Sequence, residues 1–217
     1  MRFVLASASP ARLARLRAAG VEPVVIVSGV DEDAVAAGLS DPTPADTVAA
    51  LAGAKAQAVA DTLSQDAVVV GCDSMLFMTG PDGPELVGKP GTAAMATRRW
   101  AAMAGTTGTL LTGHAVLVVT GGQVTRRASG VETTHVRFSR PTDRELAAYV
   151  ASGEPLAVAG AFTIDGLGAW FIDGIDGDPS SVIGISLPLT RRLLGEVGVS
   201  VVDLWNAAGT VTTATTE

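Results

Sequence analysis

The start of the chain joins a short apolar strand to a helix that is suited to binding an anion. Residues 3–5 are apolar, Ser9 is a favourable helix N-cap, and Pro10 fits the first helical position, where no N–H donor is needed. The hydroxyls of Ser7 and Ser9 and the guanidinium of Arg12 therefore lie near unpaired backbone N–H groups, which favours phosphate. A capped helix without a ligand is the simpler alternative. The junction predicts an α/β fold, and its chemistry suggests a phosphate site.

The remaining pattern predicts one large twisted mixed sheet flanked by helices, because no linker divides the chain. Strands are expected at 24–27, 68–70, 75–79, 85–87, 109–120, 123–139 and near 170–175. Helices are expected at 43–63, 93–104, 142–151 and 189–197. Residues 210–217 are polar and are interpreted as a flexible tail.

Composition narrows the class of protein. Of the 217 residues 47% are hydrophobic, which fits a globular fold, yet the longest apolar runs are too short to span a bilayer. The net charge of −7 argues against a nucleic-acid-binding surface, although a local pocket could still attract a small anion. The single cysteine, Cys72, excludes an internal disulfide and fits a reducing compartment. We therefore expect a cytoplasmic protein without nucleic-acid or membrane partners.

Asp73 is the strongest candidate for a catalytic residue. It follows the apolar strand at 68–70, and ligands of α/β sheets gather at strand carboxyl ends. A carboxylate there could bind a divalent metal or activate water; the alternative is an aspartate that caps a turn after Gly71. Glu32, in the acidic segment 31–33, could complete a Mg²⁺ site, although three consecutive acids are more often a solvated loop.

Two lysines could neutralise a polyphosphate. Lys55 interrupts a run of small residues within the long predicted helix, and Lys89 lies between Gly88 and Pro90. An ordinary surface lysine is the default interpretation of each. Residues 83–90 resemble a P-loop except that Pro90 replaces the required Ser or Thr, so a P-loop is rejected. The two isolated histidines, at positions 114 and 135, favour structural roles.

A series of short motifs runs through residues 2–197 in a recognisable order. They lie at 5–12, 30–32, 51–56, 71–74, 89–90, 112–114, 134–138, 149–155, 159–162 and 182–189. This series resembles the Maf family of nucleoside triphosphate pyrophosphatases, which is related by fold to the inosine triphosphate pyrophosphatases. The resemblance implies that residues 1–209 form one domain, with an active-site cleft between two lobes.

The same resemblance implies a metal-dependent hydrolase that cuts a nucleoside triphosphate between its α- and β-phosphates. Asp73 would accept a proton from water and bind the metal, Mg²⁺ or Mn²⁺, with help from Glu32. The implied triphosphate ligands are Ser7, Ser9, Arg12, Lys55 and Lys89. Family members are commonly homodimers, so a homodimer is a further expectation.

Three positions depart from the better-known family members, and in the family they vary with substrate subclass. Ala11 stands in place of an arginine, Ser74 in place of a threonine, and Asp165 in place of a glutamine. Ser74 resembles the pyrimidine-directed members, whereas Asp165 resembles those directed to 7-methyl-GTP, so the base preference stays open. Two alternatives also stay open: a non-catalytic nucleotide-binding regulator of cell division, and a phosphatase that releases orthophosphate.

Overall fold

The computed structural model describes residues 1–80 and 83–206, which contain a seven-stranded mixed sheet with helices around it. The strands are β1 (Arg2–Leu5), β2 (Val24–Val25), β3 (Ala67–Gly80), β4 (Gly83–Val87), β5 (Thr107–Thr120), β6 (Gln123–Phe138) and β7 (Ile172–Asp176). Their order is β2-β1-β3-β5-β6-β7, and β4 pairs with the far part of β3. The pairs that involve β1 are parallel, and all other pairs are antiparallel. The predicted mixed α/β sheet is confirmed.

Local capping chemistry accounts for where several helices begin. The helices are α1 (Pro10–Ala18), α2 (Glu32–Ala37), α3 (Pro44–Ala60), α4 (Ala93–Met103), α5 (Asp143–Ala151), α6 (Pro179–Ile183), α7 (Leu187–Glu196) and α8 (Val201–Asn206). Ser9 accepts a hydrogen bond from the backbone N–H of Arg12, as a capping serine should. Thr43 and Thr142 each form a complete capping box. The proposed tail at 210–217 lies outside the described residues.

The strand that carries Asp73 is longer than the sequence suggests. We expected separate strands at 68–70 and 75–79, but β3 is one strand of 14 residues and Asp73 lies within it. The reason is pairing with β5, in which Asp73 stands opposite Gly113 and the ladder extends to Phe77. Neighbouring strands stabilise polar and small residues whose own strand preference is weak. Asp73 is therefore held within the sheet by β5 on one side, whereas on the other side the pairing with β1 ends at Val70 and the pairing with β4 begins at Leu76.

Helix α3 lies unusually close to the sheet beside Asp73. A Cβ atom at Gly71 would lie 2.4 Å from the carbonyl oxygen of Ala52, and one at Gly113 would lie 2.1 Å from that of Val48. Both distances are far below an ordinary van der Waals contact, so only glycine fits at either position. The contact places Lys55, on the buried face of α3, next to β3.

An aromatic cluster holds the part of the sheet that lies farther from β1. The indole of Trp100 is fully buried and makes edge-on contacts with Phe138, Tyr149 and Phe171, with ring centroids 5.8 to 5.9 Å apart. Its Nε1–H donates to the carbonyl oxygen of Ala161 at 2.8 Å. A second apolar cluster joins β1, β3 and β5 to α7. The central strand β5 is thus buried along most of its length, whereas much of β6 is exposed.

Several local predictions need correction. The acidic segment is not an irregular loop, because Asp31 caps α2 and Glu32 begins it. The strand expected near 170–175 begins two residues later, after a 3-10 turn at Leu167–Phe171. Strand β2 is shorter than expected, and α8 was not predicted. Within the described part of the chain, none of the helices has the length and apolar character needed to cross a membrane.

Candidate active site

Lys55 joins two carboxylates from different elements. Its Nζ lies 2.6 Å from Oδ1 of Asp73 on β3 and 2.7 Å from Oε1 of Glu32, the first residue of α2. Asp73 and Lys55 are 6% and 8% exposed, whereas about half of the Glu32 side chain is exposed. The close packing of α3 on the sheet brings these groups together. The structure therefore unites three of the residues proposed from the sequence.

The second oxygen of Asp73 is the most informative atom of this cluster. Oδ2 is buried and has no hydrogen-bond partner, although Oδ1 is held by Lys55. Leaving a buried carboxylate oxygen unpaired is costly, and such atoms are rare in folded proteins. A group of this kind is typical of a site that receives a ligand, a metal or a reacting water.

The donor set at this position fits a divalent cation of the Mg²⁺ type. Asp73 and Glu32 both lie within hydrogen-bonding distance of one nitrogen, so a single cation could contact both carboxylates. Among residues 1–80 and 83–206 no group of three or more His, Cys, Asp or Glu side chains is placed to hold a metal. Mg²⁺ commonly binds one or two carboxylates together with substrate phosphates and water, so two carboxylates are a sufficient protein contribution.

Arg12 is the centre of a buried hydrogen-bond network. Its Nε donates to the carbonyl oxygen of Gly184 at 2.7 Å, and Nη1 donates to Ser7 Oγ at 3.0 Å and to the carbonyl oxygen of Cys72 at 2.8 Å. Nη2 donates to Ser74 Oγ at 3.2 Å. Four of the five N–H bonds of the guanidinium are thus directed at the protein. Arg12 connects α1, β3 and the end of α6.

The two serines at the start of α1 have different local roles. Ser9 caps the helix, whereas Ser7 accepts hydrogen bonds from the backbone N–H of Ser9 and from Arg12. Because Ser7 Oγ accepts both bonds, its own proton is free to be donated to a bound oxygen. Ser7 is buried and Ser9 is half-buried. The two serines and Arg12 thus lie together at the start of α1, as the sequence suggested, and their binding of an anion stays a prediction.

The three proposed specificity positions do not lie together. Ser74 Oγ contacts Arg12 and the hydroxyl of Thr112, and Ala11 directly precedes Arg12 in α1. Asp165 is exposed and lies in a separate segment before the 3-10 turn at Leu167–Phe171. Lys89 is also exposed and makes no hydrogen bond or ion pair to this cluster within the part of the chain that is described. Hydrogen bonds thus join Ser7, Arg12 and Ser74, and ion pairs join Lys55, Glu32 and Asp73. Lys89 and Asp165 belong to neither group.

Comparison with known proteins agrees with this geometry. The sequence model of one protein family, described as Maf-like protein, matches residues 2–197. The chain belongs to the Maf-like family. A relative from Saccharopolyspora erythraea is 66% identical over 208 residues, which cover 94% of this chain and 97% of that protein. A relative from Rhodococcus jostii is 60% identical, with 96% and 98% covered. Both relatives are named nucleoside triphosphate pyrophosphatase.

Two buried residues help to hold this Maf-like site in place, and sequence reasoning did not assign them this role. Thr112 is fully buried and its hydroxyl contacts Ser74 Oγ at 3.1 Å. His114 is also fully buried; its Nδ1 contacts the carbonyl oxygen of Thr112, and its Nε2 accepts from the backbone N–H of Ser186. Burial lowers the pKa of His114 to about 4, so the imidazole is neutral and structural. The sequence motif at 112–114 pointed to these two residues, but their partners Ser74 and Ser186 are distant in sequence.

The carboxylate of Glu154 holds a separate segment of the chain, the one that carries Asp165. It accepts hydrogen bonds from the hydroxyl of Thr163 and from the backbone N–H groups of Leu167 and Gly168. Burial acts to raise the pKa of Glu154, but these hydrogen bonds outweigh it and lower the pKa. Glu154 therefore fixes both ends of the segment that carries Asp165.

Proposed function

We propose that this protein is a nucleoside triphosphate pyrophosphatase, which hydrolyses the bond between the α- and β-phosphates to give a nucleoside monophosphate and pyrophosphate. The observation that carries the proposal is Oδ2 of Asp73, a buried carboxylate oxygen without a partner beside a lysine and near a hydroxyl-rich helix start. The names of the Maf-like relatives support the same reaction.

In the proposed mechanism each residue has a positional or electrostatic role. Asp73 Oδ2 accepts the proton of the attacking water, while Lys55 stabilises the carboxylate through Oδ1. The serines at the start of α1, together with Lys55 and Lys89, bind and neutralise the triphosphate, and Arg12 holds Ser7 in place. Asp73 and Glu32 would hold Mg²⁺ or Mn²⁺, which would neutralise charge on the phosphates. The water oxygen forms a new bond to phosphorus as the phosphoanhydride bond between the α- and β-phosphates breaks, and pyrophosphate leaves with the bonding electron pair.

The same proposal covers the base of the substrate, the cellular role and the oligomeric state. Ala11, Ser74 and Asp165 are proposed as specificity positions, and the substrate is a canonical or modified nucleoside triphosphate. A role in removing non-standard nucleotides in the cytoplasm, and a homodimeric state, follow from the family resemblance. Loss of a hydrogen-bond partner for a base penalises the wrong nucleotide strongly, so such positions are able to redirect selectivity.

The test is a panel of canonical and modified triphosphates with Mg²⁺ or Mn²⁺, in which pyrophosphate and orthophosphate are both quantified. We expect pyrophosphate from at least one nucleotide, and Asp73→Asn should reduce its release at least 10²-fold while the protein stays folded. Full activity of Asp73→Asn would refute the assigned base. Orthophosphate as the only product would identify a phosphatase, and nucleotide-dependent thermal stabilisation without turnover would identify a binding protein.

A further inference from the structure

We infer that Gly71 and Gly113 are positioning residues for Lys55, because their missing side chains set the distance between helix α3 and the sheet. The inference rests on the proposed function, in which Lys55 acts on Asp73 and on the triphosphate. Neither glycine would touch the substrate. Each would act only through the backbone of α3.

Strand geometry places both glycines on the face of the sheet that carries Asp73. Gly71 precedes Asp73 by two residues on β3, and side chains two apart on a strand point to the same face. Gly113 on β5 stands directly opposite Asp73 in the antiparallel register, and paired residues also share a face. Asp73 therefore projects from a patch where two of its neighbours have no side chain.

Helix α3 uses that patch to approach the sheet with its own backbone. The Cβ that Gly71 lacks would lie 2.4 Å from the carbonyl oxygen of Ala52 and 2.8 Å from the backbone nitrogen of Ala56. The Cβ that Gly113 lacks would lie 2.1 Å from the carbonyl oxygen of Val48. These are backbone atoms, so no side-chain rotation could relieve the contact.

The backbone conformation of the two glycines does not explain why glycine is present. Neither has a positive φ, so other residues could adopt the same backbone angles. The close approach of α3 is the feature that excludes a side chain. Lys55 lies between Ala52 and Ala56 on the buried face of α3, and both of these residues contact Gly71. The position of Lys55 is therefore set by contacts on either side of it.

A small displacement of α3 is enough to disrupt the cluster. Restoring an ordinary contact of 3.4 Å at Gly71→Ala needs a shift of about 1 Å. The same shift would stretch the 2.6 Å bond from Lys55 Nζ to Asp73 Oδ1 beyond hydrogen-bonding distance. Misplacement of a catalytic group by about 1 Å is able to reduce a rate by roughly 10²-fold.

A double-mutant cycle between Gly71→Ala and Lys55→Met tests the inference. We expect Gly71→Ala to lower kcat/KM by roughly 10²-fold, and the double variant to lose little more than Lys55→Met alone, because the glycine acts through the lysine. The matched control is Gly53→Ala on α3, where an added Cβ meets nothing within 4 Å. Its activity should equal that of the wild type.

Three results would overturn the inference: losses that multiply in the double variant, near-wild-type activity of Gly71→Ala, or full activity of Lys55→Met. Folding of each variant is checked by far-UV circular dichroism and urea unfolding. If Gly71→Ala does not fold, the same cycle is run with Ala56→Ser, which adds one atom on the helix side of the contact. A wild-type protein that releases no pyrophosphate would instead refute the proposed function.

Discussion

The buried imidazole of His114 makes the stability of this protein depend on pH. Its Nε2 accepts the backbone N–H of Ser186 at 2.9 Å, so Nδ1 carries the proton and donates to the carbonyl oxygen of Thr112 at 3.0 Å. Protonation would place a second proton at Nε2, destroy the bond to Ser186 and bury a positive charge. Burial therefore lowers the pKa of His114 from 6.5 to about 4 in the folded protein.

The sign of the effect follows from proton uptake. As the pH falls below about 6.5 the unfolded chain binds a proton at this histidine, whereas the folded protein does not. The stabilisation is therefore complete above pH 6.5 and is lost as the pH falls towards 4. The full effect is about 3 kcal/mol, of which about 2 kcal/mol is lost by pH 5.

Urea unfolding of the wild type and of His114→Gln at pH 7 and pH 5 measures this effect. The glutamine oxygen is able to accept the N–H of Ser186 but does not titrate, so any general cost of the substitution is the same at both pH values. We expect the difference in free energy of unfolding between the two proteins to shrink by about 2 kcal/mol at pH 5. The control is His135→Gln, which replaces an exposed histidine. A difference that does not change with pH, or an equal change in His135→Gln, would refute the reasoning.

Two further predictions concern the buried carboxylates. Lys55→Met leaves Asp73 buried without a counter-charge, so in the absence of divalent cations it should lower the free energy of unfolding by about 3 to 5 kcal/mol. The double variant with Asp73→Asn should recover most of this loss. Urea unfolding that shows no recovery in the double variant would contradict a buried ion pair. Glu154→Gln replaces a carboxylate that accepts three hydrogen bonds with an amide that has one acceptor oxygen. This substitution should lower the free energy of unfolding by about 1 to 3 kcal/mol and speed hydrogen exchange at the backbone amides of Leu167 and Gly168. Unchanged exchange rates at these two amides would show that Glu154 does not hold the segment.

Features encoded by neighbouring residues could be predicted from the sequence. The N-cap at Ser9 and the capping box at Thr142 depend on contacts three residues apart, and both are confirmed. The long strands β5 and β6 were also predicted, because β-branched alternation extends over many residues. Such signals are local and repeated, so they do not require knowledge of the tertiary fold.

Features that depend on distant partners could not be predicted in the same way. The continuation of β3 through Asp73 depends on pairing with Gly113, 40 positions away in register, and nothing in the local sequence indicates that pairing. The sequence suggested Arg12 as a phosphate ligand, but it could not show a bond to Gly184, which lies 172 positions along the chain. The glycine at position 71 also reads locally as a turn residue, whereas its function in the fold is to admit α3.

Arg12 changes how the proposed specificity positions should be understood. Ser74 Oγ accepts from Arg12 and contacts the hydroxyl of Thr112, while Ser7, the buried serine before α1, accepts from the same guanidinium. A substitution at position 74 would therefore alter a bond of Arg12 and, through that guanidinium, act on Ser7, which we propose as a phosphate ligand. Asp165 belongs instead to the segment fixed by Glu154, which has no such connection to Arg12 among the described bonds. The proposed specificity positions are consequently held by separate hydrogen-bond networks: Ser74 belongs to the network of Arg12, whereas the exposed Asp165 lies in the segment held by Glu154.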